Sequence, residues 1–412
     1  MMLFCSFSGS AYAAASPDIT AEAAILLDGT SGKILYEKNA DELLPPASMT
    51  KMMTEYLILE AVKKGKIKWE QQLSISQYAH DISQKRNLSN VPLRIDLQYS
   101  VKELFEAAGI YSANGAAIAL SEAIAGNETA FVKKMNDKAA EMGLKEYKFV
   151  NCTGLNNSDL LGLYPPGTDP NAENMISARA AAILAYNLLK DYPEILKTSS
   201  IPKKTFREGT TDFIKMDNWN WMLPSLVYAY PGVDGLKTGS TNTAGYSFTG
   251  TVLRGDVRLI SVVMKADSYK SRFSETARLF DYGFNNFVKK EILPAGYKIA
   301  GKSEVTVLKG KAKKVVVATK KPLISMVKSG EENLYEPVYE LTSTAFTAPI
   351  KKGQVMGHLT LKYKGEGKYG YITPQAKNTD RVEVVATQEV KKANFLVLFF
   401  RWIMDLVLQK GK

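Results

Sequence analysis

Residues Leu44–Gly65 read LPPASMTKMMTEYLILEAVKKG. Pro45-Pro46-Ala47 is a rigid entry, no proline or glycine interrupts the stretch that follows, and Gly65 is a stop, so the pattern predicts a long helix opening at Ser48. Ser48 and Lys51 then sit one turn apart on the same face, where the lysine amine reaches the serine hydroxyl. The helix N-terminus adds free N–H groups and a positive dipole, which favour an oxyanion and help depress the lysine pKa. The plain alternative is a capping serine beside a solvated lysine.

Around this stretch, from about Glu22 to Ile292, short apolar strands alternate with helix-period segments. Glu22–Asp28 and Lys33–Lys38 read as a hairpin around Gly29-Thr30-Ser31-Gly32. Helical patterns follow at Val101–Ile110, Ala116–Ala125, Glu128–Met142 and Ile176–Leu189. Gly245–Leu253 and Val257–Ala266 read as strands joined at Arg254-Gly255-Asp256, and Ser271–Lys289 as an amphipathic helix. The mixture predicts an α/β (α+β) core whose sheet has antiparallel neighbours. From about Ala295 to Ala386 the texture changes to Val/Thr/Lys alternation with Gly and Pro punctuation, which reads as a small all-β domain.

The 412 residues are 45% hydrophobic and 23% charged, enough for a sizeable core in two or three domains and too apolar for disorder. Two histidines and two cysteines leave almost no material for a multi-histidine metal site or a disulfide framework. A histidine-dependent triad could draw only on His80 or His358, neither in a segment resembling an active site, so an enzymatic base is expected to be something else. No cofactor and no metal are expected.

Both ends suggest export and a membrane surface. Met1–Ala15, MMLFCSFSGSAYAAA, has the apolar stretch and A-x-A patterns of the back half of a secretory signal peptide, without a basic leader. Removal of Cys5 with it would leave Cys152 alone, unable to form an intramolecular disulfide. Phe395–Leu408, FLVLFFRWIMDLVL, is apolar at twelve of fourteen positions and too short to span a bilayer as a helix. On a helical wheel Asn394, Arg401 and Asp405 fall within about 40° of one another, opposite a broad apolar face. Arg401 and Asp405 are also an i,i+4 pair, and Lys391, Lys392, Lys410 and Lys412 flank the segment. This predicts an interfacial helix at anionic lipid, against the alternative of a helix docked on the protein's own core. The expected boundaries are 1–15 for the leader, 20–292 for the catalytic domain, 296–386 for the β-domain and 391–412 for the anchor.

Three Ser-x-x-Lys tetrads occur, at Ser48, Ser200 and Ser325, about what chance supplies. Pro202 forbids a regular helix through the second, and the third lies in the β-rich region, so context favours Ser48. Ser112-Ala113-Asn114 falls in the break between two helical patterns, 64 residues after Ser48; a turn with a capping side chain is its alternative, and Ser240-Thr241-Asn242 matches the same pattern. Lys237-Thr238-Gly239, within GVDGLKTGSTNTAGYSFTG, is unique in the chain and leads into a strand pattern.

The order SxxK, SxN, KTG resembles that of the active-site serine penicillin-recognising enzymes. LPPASMTKMMTEYL, IYSANGAAIA, FVNCTGL and VDGLKTGST are similar to segments of low-molecular-mass D-alanyl-D-alanine carboxypeptidases of the penicillin-binding protein 5 type, peptidase family S11, from Gram-positive bacilli. The likeness runs from about Ala21 to the C-terminal helix. It implies a serine β-lactamase/transpeptidase-like catalytic domain, then the β-domain and the amphipathic anchor. It also implies that Ser48 is the nucleophile, Lys51 its general base and Ser112 a relay to the leaving amine. Asn114 would hold the substrate backbone; Lys237, Thr238 and Gly239 would bind the terminal carboxylate. Backbone N–H groups of Ser48 and Ser240 would form the oxyanion hole. Arg272, in SYKSRFSE, falls at the family's substrate-carboxylate arginine, against the alternative of a surface arginine starting a helix. The family often has Asp where this chain has Ala113, so that side chain receives no role. The implied substrate is the peptidoglycan pentapeptide, with trimming of D-alanine limiting cross-linking during wall biogenesis, β-lactams as acylating inhibitors, and a peripheral location on the outer face of the cytoplasmic membrane for the exported protein.

Other outcomes stay open on the same motifs. A class A β-lactamase would add a deacylating Glu-x-x-x-Asn, which occurs nowhere in this chain. A transpeptidase or endopeptidase differs only in acceptor or scissile bond, and a wall-binding protein with vestigial catalysis would not need Ser48, Lys51, Ser112 and Lys237 intact. The net charge of +11 is uneven: residues 1–295 carry 32 basic and 32 acidic side chains, residues 296–386 carry 16 and 8, and residues 387–412 carry 5 and 2. The excess lies where anionic lipid and wall polymer are expected, which makes nucleic acid the least favoured polyanion.

Overall fold

The structure, a computed structural model, describes residues 16–366 and 369–409. The expected leader, residues 1–15, lies outside the described residues, as do Lys410, Lys412 and the side chains of Asp405 and Leu408. The described chain forms two compact units, one ending at Asn285 and joined by Gly370–Thr373, the other made of Asn286–Tyr369 with Pro374 onward.

The first unit is built on a five-stranded antiparallel sheet. Its strands are β1 (Ala23–Asp28), β2 (Ile34–Lys38), β3 (Val233–Thr241), β4 (Gly245–Arg254) and β5 (Val257–Ala266), in the order β3-β4-β5-β1-β2. Strand β1 is buried along its whole length and β5 over six consecutive residues, which is why both read as apolar runs rather than alternating ones. Strand β3 is an edge strand, so the side away from β4 leaves backbone groups for other partners.

The longer helices are α1 (Lys51–Lys63), α2 (Val101–Ile110), α3 (Asn114–Ala125), α4 (Glu128–Glu141), α5 (Ala178–Asp191) and α6 (Tyr269–Asn286). Local chemistry sets several of their ends. Ser100 and Glu103 close a capping box on α2, Asn127 caps α4 through Ala130 N at 2.8 Å, and Ser177 caps α5. Helix α1 is buried from Lys51 to Leu59 and forms the centre of the unit.

Two sequence expectations shift. Ser48 does not open the α-helix: Ala47–Thr50 form a 3-10 turn, α1 begins at Lys51, and neither N-cap makes a side-chain capping bond. Ser48 is therefore not the cap of this helix. The helix expected to reach Lys289 ends at Asn286, and the chain continues as β6 (Phe287–Leu293). Its partner is β9 (Leu323–Lys328), a pairing far along the chain that overrides the local helical period.

In the second unit β6 and β9 form one ribbon. The other strands are β7 (Glu304–Leu308), β8 (Lys314–Thr319), β10 (Tyr335–Leu341), β11 (Ala345–Thr347), β12 (Val355–Tyr363) and β13 (Arg381–Ala386). They make a sheet in the order β10-β12-β13-β8-β7-β11, antiparallel except for the β7–β11 pair. Alternating burial in β7 and β13 follows the sequence alternation, and Val305, Val307, Val315, Val317, Leu359 and Val384 fill the core. Helix α7 (Phe395–Gln409) ends the described chain. No helix among the described residues is long and apolar enough to cross a membrane.

Candidate active site

The turn Ala47–Thr50, the α2–α3 break and the edge strand β3 bring together the three motifs. Lys51 is fully buried, and its Nζ has three neighbours: Ser48 Oγ at 3.0 Å, Asn114 Oδ1 at 2.7 Å and the carbonyl oxygen of Thr153 at 2.7 Å. Burial first, and the Lys237 cation second, push the Lys51 ammonium well below the ordinary lysine range. The direction is the one a neutral amine base needs.

Ser112 stands in the break between α2 and α3 with a left-handed φ of 61°. Its Oγ is buried and has no hydrogen-bond partner among the described residues. Asn114 opens α3. Its Nδ2 donates to Ser89 O at 3.0 Å, so both ends of its carboxamide are held by protein.

Strand β3 carries Lys237, Thr238 and Gly239 past the Ser48 turn. A Cβ on Gly239 would lie 2.2 Å from Pro46 O and 3.2 Å from Ser48 N, so only glycine permits this approach. Ser240, next along the edge strand, is exposed. Lys237 is 2% exposed and its Nζ has one weak acceptor, Thr238 O at 3.4 Å. Burial pushes the Lys237 ammonium down, with Arg272 acting the same way and Glu55 opposing.

Arg272, in the first turn of α6, is 1% exposed, which removes the surface-arginine alternative. Its guanidinium lies 4.9 Å and 4.7 Å from the ring centroids of Tyr269 and Phe273. One Nη donates to Gly239 O at 3.4 Å, while Nε is buried without a partner among the described residues. Burial pushes its guanidinium down to about 10, still charged at neutral pH. A buried cation with spare donors beside the Lys237-Thr238-Gly239 strand is suited to a carboxylate.

Two contributors had no distinct sequence signal. Thr153 acts through its carbonyl, and the loop carrying it is fixed by Asn151 Oδ1, which accepts from Thr153 N at 3.1 Å and Gly154 N at 2.8 Å. Only the family resemblance, and no motif of its own, points to the segment FVNCTGL. Glu55, one turn beyond Lys51, is buried near both lysines. Cys152 is a buried free thiol whose pKa is pushed well up by burial and then by Glu128, which leaves it unreactive. The other tetrads are structural: Ser200 Oγ donates to Leu196 O at 2.6 Å, and Ser325 Oγ to Asp380 Oδ2 at 2.7 Å.

Comparison with known proteins gives the family of the chain. A profile of D-alanyl-D-alanine carboxypeptidases, peptidase S11, matches residues 10–268, and one of the penicillin-binding protein 5 C-terminal domain matches 287–392. The D-alanyl-D-alanine carboxypeptidase DacF of Bacillus subtilis is 35% identical over 386 residues, 93% of this chain and 90% of the relative. Among solved structures, a peptidoglycan synthesis regulatory factor (PBP3) from Streptococcus pneumoniae is similar with a TM-score of 0.78 at 36% identity, covering 91% of this chain and 100% of that one. Penicillin-binding protein 5 from Haemophilus influenzae is similar with a TM-score of 0.72 at 32% identity, covering 92% and 100%. With one profile spanning more than half of the chain and a relative aligned over nearly all of it, this chain belongs to the S11 family of serine-type D-alanyl-D-alanine carboxypeptidases.

Proposed function

We propose that this D-alanyl-D-alanine carboxypeptidase works through an acyl-enzyme on Ser48. The observation that carries the reading is the environment of Lys51 Nζ. Two of its neighbours, Asn114 Oδ1 and Thr153 O, are acceptors and take the two N–H bonds of a neutral amine. The lone pair is left for the Ser48 hydroxyl at 3.0 Å.

Lys51 takes the Ser48 proton as Oγ attacks the carbonyl carbon of the penultimate D-alanine. The oxyanion is received by backbone N–H groups of Ser48 and Ser240, the second on the free edge of β3. The C–N bond then breaks, and the leaving D-alanine takes the proton through Ser112, whose unpartnered Oγ supports a relay role. Water, deprotonated by the same base, attacks the ester and releases the shortened stem. Lys237, Thr238 and Arg272 hold the terminal carboxylate, while Asn114 orients Lys51 and has one N–H left for the substrate backbone. A β-lactam enters by the same attack, opening its ring onto Ser48.

Intact-mass spectrometry with and without benzylpenicillin tests the assignment. A single adduct on the native protein and none on Ser48→Ala is the expected result. No adduct, or one that survives the substitution, overturns it. Release of D-alanine from a peptide ending in D-Ala-D-Ala is the matching activity.

The same proposal covers location: an exported enzyme, divided as the sequence suggests, resting on the outer face of the cytoplasmic membrane through α7. Phe395, Leu396, Phe400, Trp402 and Met404 of α7 are each more than half exposed, an apolar surface that a bilayer interface would cover. Arg401 donates to Gly310 O at 2.7 Å and Lys311 O at 2.8 Å, which ties the helix to the β7–β8 turn. Exposed Lys309, Lys311, Lys313, Lys391 and Lys392 surround this root and suit anionic headgroups.

A further inference from the structure

The reaction as derived uses every buried charge near Ser48 except one. Glu55 is 4% exposed and lies one turn beyond Lys51 on α1. Its Oε1 points toward α2, where a Cβ on Gly109 would stand 3.3 Å from it and 3.0 Å from Thr198 Cγ2 of the short helix Leu196–Ser199. The absence of a side chain at Gly109 is what leaves room for the carboxyl. No hydrogen bond or ion pair is made by that carboxyl among the described residues, so it acts on its surroundings through charge alone.

Those surroundings are cationic. Lys51 faces Glu55 from its own helix and Lys237 from β3, with Arg272 of α6 beyond Lys237. Gly109 and Thr198 face it from the other two elements and do not titrate. Glu106, a buried acid on α2, is committed to Lys204 at 2.6 Å, and Cys152 near Lys51 is held protonated. A buried ammonium with a single weak acceptor needs a compensating charge, and Glu55 is the buried acid whose charge acts on Lys237.

We propose that Glu55 is a positioning residue of the reaction: its buried carboxylate is the counter-ion that helps keep Lys237 charged for the substrate carboxylate, with a smaller effect on Lys51 one turn away. The inference rests on the carboxylate-binding role given to Lys237 above. The carboxylate raises the pKa of both lysines, against the burial that lowers them. Lys51 must be neutral and Lys237 charged, so the window of activity lies between the two titrations. Glu55 moves the alkaline edge of that window upward, and the acid edge upward by less. Glu55 is itself pushed up by burial and pulled back down by Lys237 and Lys51, so its influence fades as acid protonates it.

The test is the pH profile of benzylpenicillin acylation and of D-alanine release, from about pH 5 to 10, for the full chain and Glu55→Gln. The alkaline limb is expected to move about one pH unit downward, so that the rate on that side falls by up to about tenfold, and the acid limb to move the same way by less, because Glu55 is partly protonated there. Glu55→Met, suited to a dry pocket, gives the same displacement if charge is the cause and keeps the test open should the glutamine variant not fold. Glu55→Asp restores the limbs. A lower rate with unmoved limbs, or limbs that move upward, overturns the proposal, because a packing role changes height and not position. Failure of the native protein to acylate at all would instead overturn the Ser48 mechanism, so the two ideas fail separately.

Discussion

Asn114 Oδ1 accepts a hydrogen bond from Lys51 Nζ at 2.7 Å, joining residues 63 positions apart at the buried centre of the catalytic unit. The bond makes the second motif a support for the first: it consumes one N–H of the amine and turns the lone pair toward Ser48. Lys51→Arg is therefore expected to be as damaging as Lys51→Ala, since a guanidinium cannot be deprotonated here, with acylation by benzylpenicillin falling roughly 10²–10⁴-fold in both. Asn114→Ala is expected to lose less, because Thr153 O still orients the amine. Stopped-flow acylation rates check the ranking, and a Lys51→Arg protein with native rates would exclude Lys51 as the base.

The pH dependence follows from two depressed lysines. Lys51 is inactive while protonated, and its pKa is lowered by burial and then by Lys237, so acylation rises with pH as Lys51 deprotonates, at a pH well below that of an ordinary lysine. Lys237 is lowered too, and its loss of charge produces the alkaline fall. Stability has its own sign. Both lysines bind protons more readily in the unfolded chain, so between their folded pKa values and the ordinary lysine value the unfolded state holds more protons, and stability increases with pH across that window. Lys237→Met removes its part of this trend. Urea midpoints measured at about pH 7 and 9 are expected to rise less in that variant than in the native protein.

Much of this was legible in the chain because it depends on local pattern. The Ser48–Lys51 spacing, the strand Val257–Ala266 and the helix Val101–Ile110 follow from periodicity, turn residues and caps within a short window. The rest depends on what tertiary packing brings alongside. A 3-10 turn and an α-helical turn use the same residues, so Ala47–Thr50 could not be separated from α1 in sequence. Thr153 contributes a backbone carbonyl, which no residue type announces. Glu55 reads as an ordinary polar position on a helix until the fold buries it where the Lys237 charge acts on it. Arg272 stayed ambiguous because burial, not spacing, separates a surface cation from one held for a ligand.

The three Ser-x-x-Lys tetrads are expected to separate cleanly in experiment. Ser325 Oγ donates to Asp380 Oδ2 at 2.7 Å, both residues buried in the β-rich unit. Ser325→Ala removes a donor from a buried carboxylate and is expected to cost about 1–3 kcal/mol of stability, read by urea denaturation. Penicillin labelling should be unchanged, and a loss of labelling in the folded variant would contradict the assignment of Ser48.

Gly239 tests how closely β3 must pass the nucleophile. A methyl group at this position would meet Pro46 O at 2.2 Å, a contact that only displacement of the strand or the Ser48 turn can relieve. Gly239→Ala is expected to slow acylation by roughly 10²-fold, since a shift near 1 Å separates Ser48 from the strand that completes its oxyanion site. Its melting temperature should fall too, overpacking of this kind costing about 1–3 kcal/mol. A native acylation rate in Gly239→Ala would show that the strand can retreat without consequence.

The anchor is tested by deleting residues 395–412. The truncated protein is expected to stay in the supernatant with vesicles containing anionic lipid and to keep its carboxypeptidase activity, because no residue proposed for catalysis lies in the deleted segment. Arg401→Ala frees the helix from Gly310 and Lys311 but leaves the apolar surface intact, so vesicle binding should persist. Replacing Lys309, Lys311 and Lys313 with glutamine should weaken binding most at low ionic strength, by about 1 kcal/mol per lysine lost near the surface. Binding of the truncated protein to the same vesicles at high salt would place the membrane contact elsewhere and remove α7 as its carrier.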